Sequence, residues 1–227
     1  KAYEYYLRGR GHYRRRTRTD FDSAREMFSK AIEIDSGYAL AWAGLADTYT
    51  EFWRNYESTD ENLQKADEFS LKAVELGPDS AEAHAARGYS LGQQRRFDEA
   101  QAEFEKAIRL NPCLFEAHYY FGRTRFHQGR LEEAIELFKT AGEMDPTDYQ
   151  SRCLRIQVLR GLGRDEESVA EAAEAIQVVE NNLKWNPDDA RAYHLGAGTL
   201  VVLGDTERAK RWLHRAIEID PDDPNVR

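Results

Sequence analysis

The sequence predicts an all-α protein, an α-solenoid of six helix-turn-helix repeats. Three observations carry that expectation. A unit of 34 residues recurs along the 227-residue chain, apolar positions inside it follow helical and not strand spacing, and Gly and Pro punctuate it at fixed places. The stretch "AEAHAARGYSLGQQRRFDEAQAEFEKAIRLNP" (81–112) aligns without a gap onto "FEAHYYFGRTRFHQGRLEEAIELFKTAGEMDP" (115–146).

The repeats divide the chain at 2–38, 39–80, 81–114, 115–148, 149–189 and 190–223, with 224–227 as the start of a further helix. The first carries Tyr5, Gly9, Ala24, Phe28 and Ala31, with Ser36 where proline is expected. The second carries Trp42, Leu45, Ala46, Tyr49, Ala66, Ala73 and Pro78. In the third and fourth, His84, Gly88, Ala100, Phe104, Ala107 and Pro112 become His118, Gly122, Ala134, Phe138, Ala141 and Pro146. The fifth is the most degraded, keeping Leu159, Ala172, Ala175 and a late Pro187; the sixth has Tyr193, Ala197, Leu200, Ala209, Leu213, Ala216 and Pro221.

Each position has a physical reason. Gly or Ala at the eighth and twentieth places lets two helices approach closely, while large residues at the start of helix A and the end of helix B fill the space between them. Proline cannot continue helix B, so it closes the unit. The glycines of "GRLEEA" and "GDTERA" suit a short A-to-B turn, because they take positive φ without strain.

Repeat lengths of 37, 42, 34, 34, 41 and 34 place surplus residues in three units. In the first two the surplus is expected between helices A and B, giving enlarged turns side by side on one edge. The first turn holds the run Arg14, Arg15, Arg16 and Arg18; the second offers Glu51, Glu57, Asp60 and Glu61 as partners. Exposed pairs of that kind contribute about 0–1 kcal/mol. The sharper alternative is an edge patch, formed with Trp53 and Tyr56, that docks an acidic partner. Phe52, Trp53 and Tyr56 either extend helix A and pack, or form an aromatic patch. In the fifth unit seven extra residues at the end of helix B, "AIQVVENNLKWNP", keep Ile176, Val179 and Leu183 in phase over two turns.

Composition narrows the function classes. At 41% hydrophobic and 32% charged, the chain can bury a core. Residues 1–19 carry a net +6 inside a chain of −9, leaving −15 for the remainder, which argues against broad nucleic-acid binding. No membrane-spanning run and no signal peptide is visible; with Cys113 and Cys153 in no metal-binding spacing, a reducing cytoplasm fits. The start at Lys1 and the stop at "DPNVR" read as a segment of a longer protein. His84 and His118 are expected to pack rather than bind metal, and no nucleophile elbow, zincin or phosphate-loop motif occurs. The reading is therefore of a non-enzyme without a cofactor.

The phased pattern resembles the tetratricopeptide repeat over residues 2–223. The resemblance implies a right-handed superhelix whose A helices line a groove for a partner protein or peptide. Groove positions carried over onto this sequence are Tyr6, Arg10, Tyr13, Arg14, Asp47, Tyr89, Tyr119, Tyr120, Arg123, Phe126, His127, Gln157, Arg160 and His194. Tyr and Arg dominate that set, as they do interface hot spots. The clamp by which one subfamily holds chaperone tails is absent: its positions read Tyr6, Arg10, Gly44, Glu82 and Ala86, or Tyr119, Arg123, Leu154, Arg191 and Leu195. The opening, "AYEYYLRGRGHYRRRT", is similar to repeat regions of bacterial signalling proteins fused to kinase, cyclase or DNA-binding domains. Alternatives are the substrate-docking arm of a multidomain enzyme, and self-assembly as a homodimer through an uncapped C-terminal end.

Overall fold

The computed structural model describes residues 1–222; the expected start of a further helix at 224–227 lies outside them. Twelve helices follow one another among the described residues, with no strand. They are α1 (Ala2–Arg15), α2 (Arg18–Ile34), α3 (Ala39–Asn55), α4 (Asp60–Leu76), α5 (Ala81–Gln93), α6 (Phe97–Leu110), α7 (Phe115–His127), α8 (Leu131–Met144), α9 (Tyr149–Gly161), α10 (Asp165–Trp185), α11 (Ala190–Val202) and α12 (Thr206–Ile219). The odd-numbered A helices begin at 2, 39, 81, 115, 149 and 190, the six starts read from the sequence. Two compact units result, Lys1–Thr124 and the chain from Arg125 onward, meeting inside α7.

In the first unit α1 packs on α2, α3 on α4 and α5 on α6, and each later A helix also packs on the preceding pair. Glycine makes this possible. A Cβ at Gly9 would stand 2.7 Å from the Phe28 ring, and one at Gly44 2.6 Å from its other side, so this fully buried ring is held between α1 and α3. Gly88 receives Phe104 at 2.9 Å in the same manner. The fourth residue of helix A supplies a second device. Trp42 Nε1 donates to the Ser36 carbonyl at 3.0 Å, His84 Nε2 to Pro78 at 2.9 Å and His118 Nε2 to Pro112 at 3.0 Å. These rings tie α3, α5 and α7 each to the linker before it.

The second unit packs α8 on α9, α9 on α10 and α11, α10 on α11, and α11 on α12. Helix α10 has 21 residues where α6, α8 and α12 have 14, so the seven-residue surplus is helical. Val179 is fully buried and Leu183 packs beside Tyr149, Cys153 and Leu195. The extension therefore covers the sixth repeat, and its last residue, Trp185, stands 86% exposed.

One expectation is corrected. The surplus of the first two repeats is almost wholly helical, and of the A-to-B turns only that between α3 and α4 is longer, at 56–59, by one residue than the 94–96 turn of the third repeat. Helix α2 starts at its repeat's seventeenth residue, as α6, α8, α10 and α12 do, and runs 17 residues against the 14 of α6. Helices α3 and α4 are both 17 long, against 13 and 14 in the third repeat. The chain stays helical because Phe52 buries beside Tyr13, Phe21 and Phe28, and because Thr17 and Thr59 cap the longer B helices.

The turns obey one rule. The fifteenth residue has left-handed φ in five repeats: Arg16 (60°), Arg95 (62°), Gly129 (74°), Gly163 (73°) and Gly204 (80°). Only the last three are glycine. Two predictions follow from this packing and turn chemistry. Arg95→Gly should raise stability by about 0.5–1 kcal/mol, the left-handed penalty less the entropy of glycine in the unfolded chain, measured by urea denaturation. Gly44→Ala should lower it by about 1–3 kcal/mol through overpacking on Phe28, despite better helix propensity, and adding Phe28→Leu should recover part of the loss.

Candidate functional site

In the first unit the inner faces of α1, α3, α5 and α7 meet around one carboxylate. Glu51, on the added turn of α3, is fully buried. It accepts from Arg123 Nη1 at 3.0 Å, Arg54 Nη2 at 3.2 Å, Tyr89 Oη at 2.7 Å and Asn55 Nδ2 at 2.8 Å, with Arg16 Nη1 at 3.3 Å. Tyr89 stacks on Tyr120 with centroids 4.1 Å apart and planes at 3°, and Arg123 lies over both Tyr89 and Tyr119. Helix α1 reaches across to α7 twice. Tyr13 and Tyr120 share a hydroxyl hydrogen bond of 2.8 Å, and Arg10 Nη2 donates to Glu116 at 2.7 Å.

This arrangement corrects the expectation of an open groove in the first unit. Tyr13, Asp47, Tyr89, Tyr119, Tyr120 and Arg123 do face inward, but all are between 0 and 8% exposed. Large rings from helices three repeats apart meet in the middle and fill it. Tyr6 and Arg10 are half-buried, Tyr6 against Phe28 and Tyr38. Phe126, His127, Gln157 and Arg160 are exposed in the second unit, and His194 is half-buried there. Glu51, expected in an enlarged turn, is interior and Glu116, to which the sequence gives no role, is half-buried; the signal for Glu51 is an acid set among apolar neighbours in "YTEFW".

The edge run divides its labour. Arg14 and Arg15 are exposed, Arg15 lying 3.5 Å from Asp20. Arg16 turns inward to Glu51, while Arg18 pairs with Glu57 and lies over the Phe52 and Tyr56 rings. Tyr56 donates to the Arg16 carbonyl at 3.0 Å, and Trp53 is half-buried. The expected pairing between the two repeats is thus made by Arg16 and Arg18 with Glu51 and Glu57.

Burial sets the electrostatics. Desolvation would push the Glu51 carboxyl up, but the guanidinium groups of Arg54, Arg123 and Arg16 hold it well below the usual range. Asp47, one turn earlier on α3, goes the other way: burial pushes its carboxyl well up, and Arg10 offsets only part. Its Oδ2 accepts from Tyr120 at 3.4 Å. Burial likewise raises Tyr13, Tyr89 and Tyr120, so these phenols are neutral. Among the described residues no group of three or more His, Cys, Asp or Glu is placed to hold a metal ion, and no helix is long and apolar enough to cross a membrane.

Because the Glu51 pKa lies below its unfolded value, its contribution to stability is complete above the ordinary carboxylate pKa of about 4.3 and is lost as pH falls through the folded value. Glu51→Gln should therefore cost about 3–5 kcal/mol at neutral pH by leaving buried guanidinium groups unpaired, and should remove this part of the acid limb in urea titrations against pH.

Two family models, both described as tetratricopeptide repeat, match residues 85–149 and 170–227. No curated protein sequence matches the chain. Among solved structures it is similar to PilW, a type IV pilus biogenesis factor, with a TM-score of 0.64 at 19% identity, covering 99% of this chain and 96% of that one. Pseudomonas aeruginosa PilF gives a TM-score of 0.57 at 21% identity, with 99% and 94% covered. The human IFIT1 dimer with m7Gppp-AAAA gives 0.67 at 18% identity, with 87% of this chain and 46% of that one covered. At such identities the structural likeness speaks to fold, and it agrees with the repeat phasing, the six helix starts and the family models: the chain is a tetratricopeptide-repeat protein.

Proposed function

We propose that this chain is a protein-interaction scaffold whose partner peptide lies on the A-helix faces of the second unit. One observation carries the reading. At the twelfth position of helix A the first three repeats bury Tyr13, Thr50 and Gly92, whereas the last three expose Phe126 (40%), Arg160 and Val201 (46%). The first unit has used these positions on itself. The second offers an aromatic ring, a guanidinium and an aliphatic side chain at one register, with Gln157 exposed one turn before Arg160. Such a mixture of apolar area and directional donors suits an extended peptide bearing an acidic or amide side chain.

The likeness of the opening repeat to those of bacterial signalling proteins supports a recruiting or sensing role, with the effector chemistry done elsewhere. No residue cluster described above requires catalysis for its explanation. Panning a random peptide display library on the wild-type chain tests the reading. Selected peptides should lose at least about tenfold in affinity for a Phe126→Ala, Arg160→Glu double variant of unchanged helicity, about 1.4 kcal/mol. Peptides that bind both proteins equally would place recognition elsewhere.

A further inference from the structure

Charge does not balance in the interior of the first unit. Arg16, Arg54 and Arg123 have side chains only 11%, 15% and 5% exposed, and all three converge on the single carboxylate of Glu51. Two positive charges there lack a counter-ion among the described residues. Buried charges are ordinarily paired, because an unpaired one forfeits its hydration without return. Burial keeps the phenols of Tyr13, Tyr89 and Tyr120 neutral. Asp47 makes no ion pair with these three guanidinium groups, and Arg10 and Glu116 pair with each other.

The hydrogen bonds are incomplete in the same place. Arg54 Nε is buried with no hydrogen-bond partner, and Arg16 Nη1, although 3.3 Å from Glu51 Oε1, makes that ion pair without a hydrogen bond. Both residues lie where the chain reverses: Arg16 in the turn between α1 and α2, Arg54 on the last turn of α3. Arg14 and Arg15 are exposed at this edge and draw anions toward it.

We propose that Arg16 and Arg54, backed by Arg123, form an anion site whose ligand is a phosphoryl dianion. The charge matches the surplus, and planar guanidinium forks suit phosphate oxygens. Arg54 is the outermost of the three, so its outward swing admits the ligand while Arg123 stays on Glu51. The run of arginines in an otherwise acidic chain then has a purpose beyond pairing with its neighbours: its outer members collect the anion and its inner member binds it.

Thermal unfolding of the full chain tests the site, with sodium phosphate replacing sodium chloride at constant ionic strength and about pH 7.5, where phosphate is mainly the dianion. Tm should rise saturably by about 2–4 °C once phosphate exceeds its Kd about fivefold. Arg54→Gln should abolish the rise, while Arg14→Gln with Arg15→Gln should weaken affinity by about threefold or less. Broadening of the 31P line of inorganic phosphate by the wild-type chain gives the same reading without a variant. O-phosphoserine in a parallel arm separates sources: an equal shift assigns the site to the phosphoryl group alone, and a larger one to a phosphorylated side chain. No rise over chloride, an equal rise in Arg54→Gln, or a rise lost only in the Arg14 and Arg15 variant would overturn the proposal.

Discussion

The first unit depends on a carboxylate that has no access to water. Glu51 gathers an arginine from the turn after α1, another from its own helix and a third from α7, together with a phenol from α5. Four A helices are positioned by one side chain. The apolar packing around them, with phenylalanines seated on glycines, already restricts helix rotation, since a Cβ turned toward the Phe28 ring would clash with it. The ion cluster adds a second constraint, because a buried guanidinium out of reach of its carboxylate is costly.

Much of this was legible in the sequence. All six A-helix starts follow from the phase of the repeat, since close-approach glycines and terminal prolines report local geometry. The left-handed turn glycines Gly129 and Gly204 and the packing role of His84 and His118 are local in the same sense. The surplus residues were harder. A turn and an added helical turn have similar length, and only tertiary partners such as Phe52 against Tyr13 and Phe21 decide that the chain remains helical.

The interior faces were legible in direction but not in exposure. Position nine of helix A turns inward in the first four repeats, as Arg10, Asp47, Tyr89 and Arg123; whether it meets solvent is set by what lies opposite, and Arg123 meets a residue 72 positions away. Periodicity along one helix contains no term for that distance. Hence Tyr89, Tyr120 and Arg123 look from their spacing like recognition residues and serve as core, while Phe126 and Arg160, on equivalent faces, stay open. The same twelfth-position register is therefore packed in one unit and exposed to solvent in the other.

The bridges from α1 to α7 also bear on how the chain folds. Stacked repeats ordinarily touch only their neighbours, so they can nucleate at many points and fray one hairpin at a time. The Arg10–Glu116 and Tyr13–Tyr120 pairs close loops of more than a hundred residues. Such closure carries an entropic cost before it brings any contact, and it raises contact order above that of a simple repeat stack. Closure of this kind favours concerted folding of the first unit over fraying one hairpin at a time, and a slower entry into the native state than a linear array of the same helices would have.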